Sequence, residues 1–229
     1  MKALLVIPAY NEEESIVKTV QQVISAGYDY IVINDGSTDT TLEVCRKNGI
    51  KVLDLKSNLG IGGAVQAGHK YAKKYGYDVD IQFDGDGQHD ISFVSLLLNE
   101  IEKGNDLVIG SRFIGEEKST FQSTFMRRLG IRWLSFVIGK DGGKSITDPT
   151  SGFRASGKKA IELFCESYPI DYPEPESIVK AKKNNLLISE VPVSMNERQG
   201  GSSSIKLFSS MYYMIKVTIA ILILKASRR

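Results

Sequence analysis

The stretch that decides the fold is residues 79–89, Val-Asp-Ile-Gln-Phe-Asp-Gly-Asp-Gly-Gln-His. A short β-favouring run, 79–83, stops at two carboxylates, Asp84 and Asp86, each followed by a glycine. The run reads as a buried strand, and the glycines let the chain turn sharply at its end. Carboxylates spaced i, i+2 after such a strand cannot both enter the core. They repel each other unless a cation or basic group stands between them. The pair is therefore either a solvated Asp-Gly turn or a seat for a hard divalent ion. Mg2+ and Mn2+ take oxygen ligands and share themselves with substrate phosphates. An EF-hand is disfavoured, because the twelfth position from Asp84 is not glutamate.

Outward from this turn the same rhythm repeats. Residues 3–7 form an apolar strand, broken by Pro8-Ala-Tyr10, and Asn11 is a candidate N-cap for a helix over 12–26. A strand over 30–33 ends in Asn34-Asp-Gly-Ser-Thr-Asp39 and leads to a helix reaching about Lys47. A strand over 52–55 precedes Asn58-Leu-Gly-Ile-Gly-Gly63 and a helix to about Tyr75. A helix over 91–103 and a strand over 107–109 follow. Strands alternating with helices predict an α/β fold, a mainly parallel twisted sheet with helices on both faces. Tyr10, Asp35, Gly60 and Asp84 each follow a strand, so they share the edge where open α/β sheets bind ligands. Asp35 also suits an Asx turn, and the 58–63 loop is neither a Walker A nor a GxGxxG sequence.

Beyond about Ser111 the rhythm changes. Residues 125–138 are apolar and basic together, with Arg127, Arg128, Arg132 and Trp133. A turn-rich stretch, 147–154, precedes expected helices over 156–166 and 174–183 and a strand over 187–193. Residues 196–204 are Gly/Ser-rich, an expected mobile loop. The run 207–224, LFSSMYYMIKVTIAILIL, is nearly all apolar but contains Lys216, and a spanning helix needs ~20 apolar residues. At helical spacing Lys206, Ser209, Tyr213, Lys216 and Ala220 form one narrow stripe. Three readings stay open: a helix lying at a membrane interface or docked on a small membrane partner, a short or tilted penetrating helix, and a core helix. Lys225, Arg228 and Arg229 suit anionic headgroups.

The 229 residues, 42% hydrophobic and 24% charged, fit one globular domain with at most a small appendage. A net charge of +2 gives no basic field for nucleic acid. Cys45 and Cys165 form no CxxC, which disfavours a disulfide scaffold or thiolate zinc site and fits a reducing cytosol. The first apolar run is followed by polar 11–14, not by a cleavage site, and so reads as a strand, not a signal peptide.

Taken in order, Val6-Ile-Pro-Ala-Tyr-Asn-Glu12, Asn34-Asp-Gly-Ser-Thr-Asp39, Asn58-Leu-Gly, Phe83-Asp-Gly-Asp-Gly-Gln-His89, Gly110-Ser-Arg-Phe113, Asp148-Pro-Thr-Ser-Gly-Phe-Arg154 and Glu190-Val-Pro-Val193 resemble the family 2 glycosyltransferases of the GT-A fold. The resemblance covers about residues 2–208. The DxDxQH and DPTSGFR segments resemble the dolichyl-phosphate mannosyltransferase branch, whose bacterial relatives load sugars onto undecaprenyl phosphate. It implies a GT-A domain over 1–204, and the apolar run beyond it is expected to form a C-terminal helix over 205–229 for membrane or partner docking. Pro8, Tyr10, Glu12, Asp35 and Asp84 would bind the donor nucleotide. Asp84, Asp86 and Gln88 would hold Mg2+ or Mn2+ on its diphosphate. Arg112, with Arg127 or Arg128 or both, would face the acceptor phosphate, and Arg198 would close over the phosphates. Asp86, Arg112 and Arg198 would form the catalytic set. Two departures stand out: Arg198-Gln-Gly-Gly-Ser-Ser-Ser204 lacks the lysine of the usual RxxGxSK, with Lys206 two residues later, and Met126 replaces a common aromatic.

The implied activity is inverting, metal-dependent transfer of a sugar from a nucleotide sugar to polyprenyl (undecaprenyl) phosphate at the cytoplasmic face of the membrane. UDP-glucose or UDP-N-acetylglucosamine is the preferred donor and GDP-mannose the alternative. A small membrane protein subunit and a homo-oligomer are open as partners. A phosphate monoester, with its second pKa near ~6, is already anionic at neutral pH, so arginines matter more on the acceptor side than a general base. A saccharide hydroxyl would need a base. Glu174 or Glu176 could supply it, although both also suit a helix start beside Pro173 and Pro175. A nucleotidyltransferase and a non-catalytic membrane-binding module are the remaining rivals. His89 is expected to shape the site, His69 to pack, and Arg154 to pair within the domain.

Overall fold

The computed structural model describes residues 1–114, 125–141, 144–195 and 207–227. In chain order the elements are β1 (Ala3–Ala9), α1 (Ile16–Ser25), β2 (Asp29–Asn34), α2 (Thr41–Lys47), β3 (Val52–Asp54), α3 (Gly60–Lys74), β4 (Val79–Gln82), α4 (Val94–Glu102), β5 (Leu107–Ser111), α5 (Phe125–Ile138), β6 (Lys140–Asp141), β7 (Lys144–Ser145), β8 (Arg154–Gly157), α6 (Lys158–Glu166), α7 (Pro173–Lys183), β9 (Ile188–Pro192) and α8 (Leu207–Ala226). The main sheet runs β3-β2-β1-β4-β8-β5-β9, and β6 pairs separately with β7.

Strand β1 shows why the first run is apolar throughout. Leu5 and Ile7 pack with α1 and α4 residues such as Ile16, Val20 and Leu97. Leu4 and Val6 point the other way, to Ala64 and Ala72 of α3 and Ile161 of α6. Both faces are covered, so no alternation with polar residues is required. Helix α3 lies so close to β1 that a Cβ on Gly68 would sit 2.2 Å from Val6 Cγ1. Strands β3, β2, β1 and β4 are mutually parallel, which gathers the turns after β1, β2 and β4 at one edge.

The structure corrects the sequence reading at three places. Asn11 does not cap a helix beginning at Glu12. It takes a left-handed conformation (φ 57°), and its side-chain oxygen accepts from the Thr38 and Asp39 N–H groups, while α1 begins at Ile16. The second correction is β8, whose last two residues, Ser156 and Gly157, fall inside a region expected to be helical. This strand inserts antiparallel between β4 and β5, so the sheet is mixed. Its four residues are buried and include Arg154 and Ser156, so no apolar run or alternation marks it. Pairing on both edges creates it.

The third correction concerns the C-terminus. Among the described residues no helix is long and apolar enough to cross a membrane. Val217 and Ile221 of α8 are buried in a cluster with Leu134 and Val137 of α5 and Ile178 and Val179 of α7. Tyr213, expected on the narrow stripe with Lys216, belongs to this inward side and meets Tyr172 edge-on at 5.1 Å between ring centroids. Ile215, Ile219 and Leu222 stay exposed.

Candidate active site

The turns after β1, β2 and β4, the N-terminus of α3 and the first turn of α7 enclose a cleft of about 420 Å³. Pro8, Tyr10, Glu12, Asp35, Asp84 and Asp86, all expected at the site, line it. They come together because parallel strands end at the same edge. Each is held by local bonds. Asp35 accepts the Leu59 N–H at 2.7 Å, tying the β2 turn to the start of α3. Gly36 makes that junction possible: its φ is +66°, and a Cβ there would stand 2.7 Å from the Asn58 nitrogen. Glu12 accepts the Ser15 hydroxyl at 2.7 Å and donates its own N–H to Thr41.

The acidic turn is preorganised. Asp86, 5% exposed, accepts the Gln88 N–H at 3.0 Å. Asp84 accepts from the Gln82 amide at 3.2 Å and lies 3.4 Å from His89 Nε2. His89 Nδ1 accepts the Asp84 N–H at 3.0 Å, which leaves Nε2 as the ring's donor. The imidazole stacks on Phe153 at 4.6 Å. Burial pushes the His89 pKa down, against the pull of Asp84 and Asp86. His89 therefore serves as a neutral brace for Asp84. Gln88 is engaged through its backbone N–H.

Two carboxylates side by side at an open cleft are a suitable donor set for Mg2+ or Mn2+. Such ions commonly take one or two carboxylates and complete their shell with water and phosphate. Among the described residues no group of three His, Cys, Asp or Glu that could hold a metal ion comes together.

The expected acceptor-side arginines stand differently. The Arg112 guanidinium is buried and forks onto Asp148, with Nε at 2.6 Å from Oδ2 and Nη2 at 2.8 Å from Oδ1, and Nη2 also donates to Thr150. It is bound within the protein, and its charge is felt at His89 and Glu174. Arg128 is exposed on α5. The side chain of Arg127, and Arg198 altogether, lie outside the described residues, as do the 196–204 loop and Lys206.

Four contributors had no part in the expected ligand set. Gln82 stands two positions before Asp84, and the period of two along a strand could have flagged it. Asn58 lines the cleft and caps its own turn through Gly60 N–H. Glu190 accepts from Thr147 N–H, Thr147 Oγ1 and Asp148 N–H, fixing the loop that carries Asp148. Glu174, previously weighed as a base or a helix-start residue, lines the cleft beside Gln82, Asp84 and Asp86. Burial raises its pKa, and the Arg154 charge opposes the rise. Arg154, as expected, pairs within the domain: it donates to the carbonyls of Pro149, Ser151 and Glu174 and to the Ser177 hydroxyl.

Residues 4–164 match the Glycosyl transferase family 2 model. The chain is 34% identical over 210 residues to the UDP-N-acetylglucosamine–dolichyl-phosphate N-acetylglucosaminyltransferase of Methanococcus voltae, covering 82% of this chain and 83% of that protein. It is 31% identical over 215 residues to the undecaprenyl-phosphate mannosyltransferase of Micrococcus luteus, covering 89% and 87%. Among solved structures it superposes on glucosyl-3-phosphoglycerate synthase from Mycobacterium tuberculosis, in complex with Mn2+ and UDP-glucose. The TM-score is 0.71 at 20% identity, covering all of this chain and 80% of that one, a likeness of fold. A strand-edge cleft with paired carboxylates on this sheet, and a sequence match across most of the chain, make this protein a GT-A enzyme of glycosyl transferase family 2.

Proposed function

We propose that the enzyme transfers a hexose from a nucleotide sugar to a polyprenyl phosphate at the cytoplasmic face of a membrane, inverting the anomeric centre. UDP-glucose or UDP-N-acetylglucosamine is the favoured donor and GDP-mannose the alternative. The observation that carries the reading is the cleft itself, with Asp35, Pro8 and Tyr10 at one end and Asp84 and Asp86 at the other. Relatives named for dolichyl and undecaprenyl phosphate support the acceptor class.

Asp35 and Glu12 accept hydrogen bonds from the nucleoside, and Tyr10, half exposed, covers it. Asp84 and Asp86, with Gln88 nearby, hold Mg2+ or Mn2+, which would supply positive charge to the departing diphosphate. His89 keeps Asp84 turned toward the cleft. Arg112 adds a fixed positive field from behind its pair with Asp148. Arg127 or Arg128, or both, would receive the incoming phosphate, and Arg198 would close over the donor phosphates. That nucleophile arrives deprotonated, so orientation and charge balance suffice.

Helices α5 and α8 present the face for a lipid surface. Leu129, Trp133, Phe136, Ile215, Ile219 and Leu222 are exposed. The Trp133 indole donates to Thr218 at 3.0 Å, joining the two helices. Lys216 and Lys225 lie on the same helix, suited to anionic headgroups. Peripheral docking by this face fits an acceptor that never leaves the bilayer.

The test is incubation with labelled UDP-glucose, UDP-N-acetylglucosamine or GDP-mannose, Mn2+ or Mg2+, and undecaprenyl phosphate. A lipid-linked product is expected with one donor. Transfer to a sugar hydroxyl with no lipid product would replace the acceptor. The raised pKa of Glu174 makes its carboxylate a stronger proton acceptor and is the one observation that favours that second reading.

A further inference from the structure

The sheet order sets a direction along the cleft. The β2 turn carries Asp35, Pro8 stands at the end of β1 with Tyr10 just after it, and the turn after β4 carries Asp84 and Asp86. The next strand across is β8, and its Arg154 grips the Glu174 carbonyl at 2.6 Å and the Ser177 hydroxyl at 2.9 Å. Glu174 is thus one step beyond the carboxylates that would hold the diphosphate. A nucleotide sugar laid along this edge has its nucleoside over β2 and β1 and its diphosphate at β4. The hexose, bonded to the second phosphate, comes next.

Glu174 is rigidly presented. It lies between Pro173 and Pro175 in the first turn of α7, where two prolines fix the backbone. Arg154 is buried and holds this turn, together with the Pro149 and Ser151 carbonyls, through its whole guanidinium. A helix start alone favours an acidic residue, but Glu176 in the same turn already provides that charge. Directing a third carboxyl toward Asp84 and Asp86 costs electrostatic energy, unless the ligand brings hydrogen-bond donors there. A hexose brings several hydroxyls, and a carboxylate is a strong acceptor for them.

We propose that Glu174 binds hydroxyls of the donor hexose, with Arg154 as its positioning residue, so that Glu174 reads the sugar while Asp35, Asp84 and Asp86 read the nucleotide. This rests on the donor site proposed above, and the test separates the two. Calorimetry on the full chain with Mn2+ compares UDP with UDP-glucose and UDP-N-acetylglucosamine, and GDP with GDP-mannose, for the native protein, Glu174→Ala and Glu174→Gln. In Glu174→Ala the affinity for the bare nucleotide should stay within about threefold, while that for the nucleotide sugar falls roughly tenfold or more, as expected for a lost hydrogen bond to a charged group. Glu174→Gln, which keeps one acceptor oxygen, should fall between. An unchanged ratio of the two dissociation constants would overturn the proposal. Equal weakening of both ligands would do the same, by showing a merely structural role. Intact binding of both with turnover abolished would overturn it in favour of a general base. Failure of the native chain to bind either UDP or GDP would overturn the donor site itself, and this proposal with it.

Discussion

Two pairs of carboxylates stand near the same edge of this sheet and have opposite fates. Asp84 and Asp86 line an open cleft, where Asp84 is braced by the neutral Gln82 and His89 side chains. Asp148 and Glu190 face inward. Asp148 is fully buried against the Arg112 fork, and Glu190 accepts three bonds from residues 147 and 148. The first pair lines an opening that a ligand can enter, whereas the second is turned to partners within the protein. The chemical group is the same, and its neighbours decide whether it binds a ligand or holds the fold.

That contrast can be broken most directly at Asp86. Asp86→Asn keeps the shape and an acceptor for the Gln88 N–H but halves the charge offered to a divalent ion. Transfer should fall about a thousandfold, the several kcal/mol a metal supplies to a charged transition state. Stability in urea should stay within about 0.5 kcal/mol of the native chain. A collapse in stability with activity retained would erase the distinction. Arg112→Ala is the mirror experiment. Leaving Asp148 buried and unpaired should cost about 3–5 kcal/mol, measured by urea unfolding.

Glu190→Gln sharpens the contrast with a smaller effect. The amide can still accept but with less charge, and its N–H2 meets Thr147 and Asp148 donors. A loss of about 1–3 kcal/mol is expected in the same assay. The smallest effect is the pH dependence of the brace. Burial holds His89 below the ordinary histidine value of 6.5, so below that pH the unfolded chain binds more protons than the folded one. Its contribution is complete above pH 6.5 and is lost as the pH falls toward the depressed value. The melting temperature of the metal-free chain should therefore decline through this window more steeply than that of His89→Asn. Equal slopes would show that His89 is not held neutral.

The half of the cleft built from β1 to β4 was legible because its information is local. Each strand from β1 to β4 is a short β-favouring run followed by its own polar or glycine-rich turn. Parallel topology then brings Tyr10, Asp35 and Asp84 together without any long-range choice. The half built around β8 was not. Strand β8 has no pattern of its own and exists because β4 and β5 hydrogen-bond to it from both sides. Arg112 reads from sequence as a free cation, but a residue 36 positions away captures it. Glu174 reads as a helix cap until Arg154 of β8 brings it to the cleft.

By itself, then, the sequence determined the alternation of strand and helix, the edge at which the polar turns collect and the acidic pair that stands there. Spacing and apolar periodicity act over a few residues and need no partner to be read. Only the tertiary structure decided which charges are occupied and which are available, where β8 inserts, and that α8 buries Val217 and Ile221 while leaving an apolar face outward. Whether a charge is neutralised, or a face is covered, depends on groups that meet only when the chain has closed on itself.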